Sequence, residues 1–126
     1  MGTKVLIVDD EVEFATTLCE RLGLRGYETR AICVAQDALP AVKSDPPDVI
    51  LLDLKMPGKN GIEILMTVKN FAPEIEVILL TGHMSLDNKL EGIKLDAFDC
   101  ILKPVDIKEL TGKIDKAAEK SKLNRE

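Results

Sequence analysis

The sequence has few of the residues that bind transition metals or build disulfide frameworks. Its 126 residues include one histidine and three cysteines, and Cys19, Cys33 and Cys100 are widely spaced. Zinc sites usually combine several His and Cys ligands at short spacings, and disulfide scaffolds use an even number of cysteines. We therefore expect no zinc centre, and we expect reduced thiols of the kind found in cytoplasmic proteins.

Long hydrophobic runs and an excess of basic charge are also missing. The strand-like apolar runs at positions 5–8, 49–52 and 77–80 are short, whereas a membrane-spanning helix needs roughly 18 or more such residues. The net charge of −5 argues against direct nucleic-acid binding, which depends on Lys and Arg neutralising phosphates. With 45% apolar and 31% charged residues, the composition is that of one globular domain with no membrane partner.

Short apolar strands alternate with helical patterns along the chain. The predicted strands are residues 4–8, 27–32, 48–52, 75–80 and 98–102. Helical patterns that follow these strands predict five helices. The second and third span about residues 35–43 and 62–70. The other three are marked by apolar residues at helical spacing: Ala15, Leu18, Cys19 and Leu22 in the first, Leu86, Leu90 and Ile93 in the fourth, and Ile107, Leu110, Ile114 and Ala117 in the last. Asp106 and Glu109 have the spacing of a capping box at the start of the last helix.

The strands are apolar without interruption, which is typical of strands buried on both faces of a parallel sheet. We therefore predict an α/β fold with a single doubly wound five-stranded parallel sheet flanked by five helices. The domain is expected to span residues 1–120, with residues 121–126 as a charged tail or the start of a linker.

Polar residues follow four of the five predicted strands. Asp9, Asp10 and Glu11 follow the first, Asp53 the third, Thr81 the fourth and Lys103 the fifth. Each has a simple structural explanation, such as a helix cap, a turn or a solvated charge. Because ligands bind at the carboxyl edge of an open parallel sheet, the same residues together predict a charge-balanced site there.

The predicted cluster of carboxylates requires a compensating interaction. Two like charges about 4 Å apart repel by roughly 4 kcal/mol at an effective dielectric near 20. Raised carboxylate pKa values or a divalent cation would offset this repulsion. Oxygen ligands without His or Cys favour Mg²⁺, which often shares a phosphate ligand. Lys103 and Thr81 would then hold the remaining phosphoryl oxygens.

Four motifs resemble a known family. The segments "LIVDDE", "VILLDLKMPGKNG", "VILLTGH" and "CILKP" look like the receiver domain of bacterial response regulators in two-component signalling. The resemblance extends from Lys4 to about Ala118, and "TGH" and "DLKMPGKNG" are similar to receivers of nitrogen-regulation-type activators. It implies a flavodoxin-like fold with strand order 2-1-3-4-5.

The resemblance also implies a role for each residue of the site. Asp53 would be the phosphoacceptor, and the domain would catalyse its own phosphorylation and dephosphorylation rather than act as an enzyme on another substrate. The implied Mg²⁺ ligands are Asp9, Asp10, Asp53 and the backbone carbonyl of Lys55. Thr81 and Lys103 would contact the phosphoryl group. The Lys103–Pro104 bond would be cis, and the acceptor loop would be shaped by Met56, Pro57 and Gly61.

Two loop side chains could modulate the lifetime of the phosphoryl group. Lys55 and His83 each stand two residues after an implied site residue, Asp53 and Thr81. Such side chains are as readily explained as solvated loop residues.

Cys100 departs from the family pattern. Most receivers place Tyr or Phe three residues before the lysine of the fifth strand, as a switch that moves inward with the residue equivalent to Thr81. Here that position is Cys100, and the aromatic residue Phe98 is expected on the same face by strand alternation. We predict that switching is weakened or rerouted while phosphorylation survives. A Cys100→Tyr variant with no stronger phosphorylation-dependent dimerisation than the wild type would contradict this. Asp96 also stands where the family often has Gly.

The resemblance implies partners as well as chemistry. These are a sensor histidine kinase or phosphotransfer protein, an output domain or downstream protein, and a second copy bound through the fourth helix, fifth strand and fifth helix. A pseudo-receiver that binds partners without phosphorylation is the main alternative. A flavin or nucleotide binder would need a Gly, Ser or Thr-rich loop where "DDEVE" stands, and a dehalogenase-type phosphatase would usually have Asp at the position of Lys55.

Overall fold

Five parallel strands form the central sheet of the computed structural model, which describes residues 2–56, 59–82 and 96–125. The strands are β1 (Lys4–Val8), β2 (Glu28–Ile32), β3 (Val49–Asp53), β4 (Glu76–Thr81) and β5 (Asp99–Leu102). Their order is β2-β1-β3-β4-β5, and every pairing is parallel. The predicted fold and strand order are therefore confirmed.

Four α-helices surround this sheet within the described residues. They are α1 (Val12–Gly23), α2 (Ala38–Ser44), α3 (Gly61–Phe71) and α4 (Ile107–Arg125), and a 3₁₀ turn at Ala35–Asp37 precedes α2. The helix predicted around Leu86, Leu90 and Ile93 lies outside the described residues. None of the helices in the described part of the chain is long and apolar enough to cross a membrane.

The last predicted helix is α4. Its N-terminus lies where the sequence predicted it, but its C-terminus lies beyond the predicted end. Asp106 Oδ1 accepts a hydrogen bond from the Lys108 amide at 2.9 Å, so Asp106 caps the helix, while the part of Glu109 in the capping box stays a prediction. The helix continues to Arg125, and Ser121 is buried. Residues 121–125 are thus helical, while the division of the domain at residue 120 stays a prediction.

The sheet buries a separate hydrophobic core on each face. Alternate residues of the strands point to opposite faces, so Leu6 and Leu52 pack with α2 and α3, whereas Ile7 and Leu51 pack with α1 and α4. All residues of β3 and β4 are buried. Burial on both faces is the physical reason that these strands read as unbroken apolar runs, since a fully buried Leu or Ile contributes about 1.5–3 kcal/mol.

Two local predictions from the sequence were wrong. The segment after Asp53 was predicted to be an irregular loop, but Lys55–Met56 pairs with Lys59–Asn60 as two short antiparallel strands. Phe98 was predicted to share a face with Cys100, yet Cys100 packs in the core beside α2 and α3 while Phe98 packs against the other core. Phe98 precedes the first residue of β5, where strand alternation does not yet apply.

Tyr27 connects the segment before β2 to α4, and the pKa of its hydroxyl reports on this contact. Its hydroxyl donates a hydrogen bond to Asp115 Oδ1 at 2.6 Å. Burial, the hydrogen bond to Asp115 and the charge of that carboxylate raise the pKa of Tyr27 to about 12. Because the raised pKa belongs to the folded state, this stabilisation is complete below pH 10 and is lost as the pH rises from about 10 to about 12.

Tyr27 is the only tyrosine and the chain has no tryptophan, so phenolate absorbance reports this one group. We expect a native midpoint near 12 and a midpoint near 10 in denaturant. The Asp115→Asn variant should titrate between these values, because burial remains after the charge is removed. A native midpoint near 10 would show that the contact between Tyr27 and Asp115 is absent in solution.

Candidate functional site

The carboxyl edge of the sheet brings the predicted site residues together. Asp53 and Thr81 are the last residues of β3 and β4, and Lys103 follows the last residue of β5. Backbone hydrogen bonds continue beyond the apolar runs, from the Lys103 amide to the Thr81 carbonyl at 2.7 Å and from the Leu54 amide to the Leu80 carbonyl at 3.1 Å. These bonds hold the ends of three strands in a fixed register.

Three carboxylates form an acidic cluster at this edge. Asp9, Asp10 and Asp53 each offer a carboxylate oxygen that lies within 4.8 Å of the other two. Asp9 is fully buried and Asp53 is 6% exposed. Asp9 Oδ1 accepts a hydrogen bond from the Glu11 amide at 2.9 Å, and its buried Oδ2 lies 2.6 Å from Lys103 Nζ. The fold thus buries the carboxylates of Asp9 and Asp53 close together, while Asp10 is accessible to solvent.

Lys103 compensates much of this negative charge. Its Nζ atom lies 2.6 Å from Asp9 Oδ2, 2.7 Å from Glu11 Oε1 and 4.0 Å from Asp53 Oδ2. Burial alone would lower the pKa of Lys103, but the contacts with Asp9 and Glu11 and the charge of Asp53 outweigh burial and raise that pKa above its ordinary value. Lys103 is therefore a protonated cation at neutral pH.

Thr81 and Cys100 are both buried near this edge. Thr81 lies opposite Leu102 in the register between β4 and β5, and Cys100 lies opposite Leu79. The thiol is packed in the hydrophobic core beside α2 and α3. Cys100 therefore lies on β5, the strand that pairs with β4, at whose end Thr81 stands. The role of Cys100 as a switch stays a prediction.

Gly61 closes the acceptor loop against Asp53. The Gly61 amide donates a hydrogen bond to the Leu54 carbonyl at 2.9 Å. A Cβ atom at this position would lie 2.4 Å from the Asp53 carbonyl oxygen and 2.8 Å from Leu54 Cα. Both neighbours are backbone atoms that cannot rotate away, so the close approach of α3 to Asp53 requires glycine.

Two further features expected from the sequence are seen in the backbone. The peptide bond between Lys103 and Pro104 is cis. Asp96 adopts φ of 70°, a left-handed conformation that Gly enters freely and that Asp tolerates better than most residues. The turn before β5 therefore has the backbone that a glycine would favour, even though its residue is Asp96.

The remaining predicted site residues are only partly described. The backbone of Lys55 lies in the short hairpin after Asp53, and its side chain is not described. His83 and Pro57 lie outside the described residues, so the modulating role of His83 is untested.

Sequence reasoning missed the roles of Glu11 and Phe14. Glu11 was counted with the acidic residues, yet its carboxylate pairs with Lys103. The Phe14 ring centroid lies 4.4 Å from Lys103 Nζ, which is a cation–π contact. Residues 11 and 14 are three apart at the start of a helix and so face the same direction. That spacing indicated that both side chains could contact the same group, but it did not identify Lys103 as that group.

The acidic cluster fits a hard divalent cation. The three carboxylates supply only oxygen ligands. Mg²⁺ prefers such oxygen ligands and usually takes one or two carboxylates together with water and phosphate. The residues that are present are therefore compatible with Mg²⁺ at this position.

Comparisons with known proteins agree with the observed fold. The sequence model of the response regulator receiver domain matches residues 5–115. Sporulation initiation phosphotransferase F of Bacillus subtilis (strain 168) is 38% identical over 116 residues, which cover 92% of this chain and 94% of that protein. The DNA-binding transcriptional regulator NtrC of Proteus hauseri is 35% identical over 113 residues, 90% of this chain but only 24% of that protein.

A solved structure shows the same architecture. The response regulator receiver domain protein (CheY-like) from Methanospirillum hungatei JF-1 superposes with a TM-score of 0.92 at 27% identity, covering 98% of this chain and 99% of that one. The similarity to NtrC agrees with the resemblance to nitrogen-regulation-type activators. Together, the family match, the relatives and the fold show that this chain belongs to the response regulator receiver domain family of two-component signal transduction.

Proposed function

We propose that Asp53 accepts a phosphoryl group from a phosphohistidine of a sensor histidine kinase or phosphotransfer protein, in a reaction that depends on Mg²⁺. The observation that carries this proposal is the position of Asp53, whose buried carboxylate meets Asp9 and Asp10 within 4.8 Å and has Lys103 Nζ at 4.0 Å. The name of the Bacillus subtilis relative, a phosphotransferase, supports phosphoryl transfer as the chemistry.

The transfer needs one nucleophile and a set of charges held in place. A carboxylate oxygen of Asp53 forms the new bond to phosphorus, the bond from phosphorus to the histidine nitrogen breaks, and its electron pair stays on that nitrogen. Asp9, Asp10 and Asp53, with the backbone carbonyl of Lys55, would hold Mg²⁺, which supplies positive charge to the phosphoryl oxygens when bound. Phosphoryl transfer relies mostly on such positioning and electrostatic stabilisation.

Lys103 and Thr81 complete the proposed site. The ammonium of Lys103 would pair with a phosphoryl oxygen, and the Thr81 hydroxyl would donate a hydrogen bond to another. Movement of Thr81 toward the phosphoryl group would change the packing near β5, where Cys100 replaces the usual aromatic residue. Water could later attack phosphorus and release phosphate, which would limit the lifetime of the signal. An output domain or separate protein would respond to the phosphorylated state.

Phosphorylation by a small donor tests the proposal without the cognate kinase. We expect the wild-type protein to gain one phosphoryl group, measured by intact mass, when it is incubated with acetyl phosphate and Mg²⁺. Omitting Mg²⁺ and adding a chelator should abolish the gain. The absence of a phosphoryl group in both conditions would contradict the proposal and would favour the alternative of a pseudo-receiver that binds partners without phosphorylation.

A further inference from the structure

Lys103 lies closer to two of its neighbouring acidic side chains than to the third. Its Nζ atom lies 2.6 Å from Asp9 and 2.7 Å from Glu11, but 4.0 Å from Asp53. Glu11 occupies the N-cap position of α1 and its side chain makes no capping hydrogen bond. The Glu11 carboxylate is instead a hydrogen-bond acceptor for Lys103, so a residue placed to begin a helix is used to hold the cation.

The two short contacts of Lys103 differ in how easily they can be released. An ammonium group has three N–H donors, and Asp9 and Glu11 are the two acidic side chains within hydrogen-bonding distance of it. The Asp9 carboxylate is fully buried, whereas the Glu11 side chain is 63% exposed. Solvent can stabilise the Glu11 carboxylate when the ion pair opens, whereas the Asp9 carboxylate is shielded from solvent in the folded protein. The contact with Glu11 is therefore the one that yields when Lys103 moves toward Asp53.

We propose that Glu11 is a positioning residue that restrains Lys103 in the unphosphorylated protein and thereby slows phosphorylation of Asp53. This inference rests on the function proposed above. During transfer from acetyl phosphate, an Asp53 oxygen bonds to phosphorus, the bond from phosphorus to the acetyl oxygen breaks, and acetate leaves with the electron pair. Lys103 can stabilise the transferring group only after its short contact with Glu11 has opened.

The Glu11→Gln variant tests this restraint because it keeps the length of the side chain and removes its charge. Partly exposed ion pairs have modest strength, so we expect phosphorylation by acetyl phosphate with Mg²⁺ to become about two- to fivefold faster. The matched control is Glu13→Gln, which makes the same charge change in the same exposed helical turn. Within the described residues, Glu13 makes no ion pair with Lys103, and its variant should keep the wild-type rate.

Salt dependence distinguishes an ion pair from a change in helix capping. High salt screens partly exposed charges, so the rate advantage of Glu11→Gln should shrink toward one as the salt concentration rises to about 1 M. A capping or packing effect would persist in salt. The inference is overturned if Glu11→Gln is no faster than the wild type, if Glu13→Gln gives the same gain, or if the gain is independent of salt.

The same experiment separates failure of the inference from failure of the proposed function. If the wild type gains no phosphoryl group, or if Asp53→Asn gains one at the wild-type rate, the proposed function is wrong. If Asp53 is phosphorylated but the rate is the same in the wild type and in Glu11→Gln, only the proposed restraint of Lys103 by Glu11 is wrong.

Discussion

The Asp53→Asn variant should gain no detectable phosphoryl group from acetyl phosphate and Mg²⁺. Asparagine matches aspartate in size, so the buried position can still be filled, but its amide lacks the anionic oxygen that must attack phosphorus. We expect the rate to fall by at least about 10³-fold, the scale of loss seen when an enzyme loses its nucleophile. Intact mass measured over a time course provides the rate.

The same substitution should stabilise the folded protein when Mg²⁺ is absent. Unit charges within 4.8 Å of one another repel by at least about 3.5 kcal/mol at an effective dielectric near 20. We expect Lys103 to offset only part of this repulsion. We expect a gain of about 1 kcal/mol, which corresponds to an increase of about 4 °C in Tm. Mg²⁺ should reduce the difference, because a bound cation stabilises the wild-type cluster.

Asp45→Asn is the control for both measurements. Asp45 is exposed and pairs with Lys4 at the start of β1, at the opposite edge of the sheet. Its variant should be phosphorylated at the wild-type rate and should show no increase in Tm. Phosphorylation of Asp53→Asn at the wild-type rate, or a lower Tm without Mg²⁺, would contradict the assigned position of the acceptor among like charges.

The Gly61→Ala variant should lose both stability and phosphorylation. Its methyl group would meet the Asp53 carbonyl oxygen at 2.4 Å and Leu54 Cα at 2.8 Å, so the chain must move on one side of the acceptor. Overpacking a rigid site typically destabilises by about 1–3 kcal/mol. A displacement of about 1 Å at a reacting group can reduce a rate by roughly 10²-fold. Denaturant unfolding and the phosphorylation time course measure the two effects.

Gly112→Ala is the matched control, since it adds the same methyl group to α4. Apart from its chain neighbours and the backbone of α4 itself, no atom of the described residues lies within 4 Å of a Cβ placed at Gly112. Ala is favoured over Gly inside a helix by about 1 kcal/mol. This variant should be slightly more stable than the wild type and should keep its rate of phosphorylation. Equal behaviour of the two variants would show that the contact of Gly61 with Asp53 does not constrain the acceptor loop.

Most of the fold could be predicted because the periodicity of side chains follows directly from burial. The runs at residues 5–8, 49–52 and 77–80 predicted strands that are buried on both faces, and each lies in the central sheet. The short hairpin after Asp53 was missed because its pairing is made by backbone groups, which leave little pattern in the side chains. Phe98 was assigned to the wrong face because alternation was extended beyond the first residue of β5.

The sequence by itself determined the chemistry that is available at the carboxyl edge of the sheet. Three carboxylates, a hydroxyl and an ammonium follow buried strands, and parallel strands must place those residues on one edge. Only the tertiary structure decided which charges pair. Lys103 lies closest to Asp9 and Glu11 rather than to Asp53, and the Phe14 ring packs against it. The distances depend on how α1 and the end of β5 pack against the sheet, and residues that lie 92 positions apart in the chain meet only after folding.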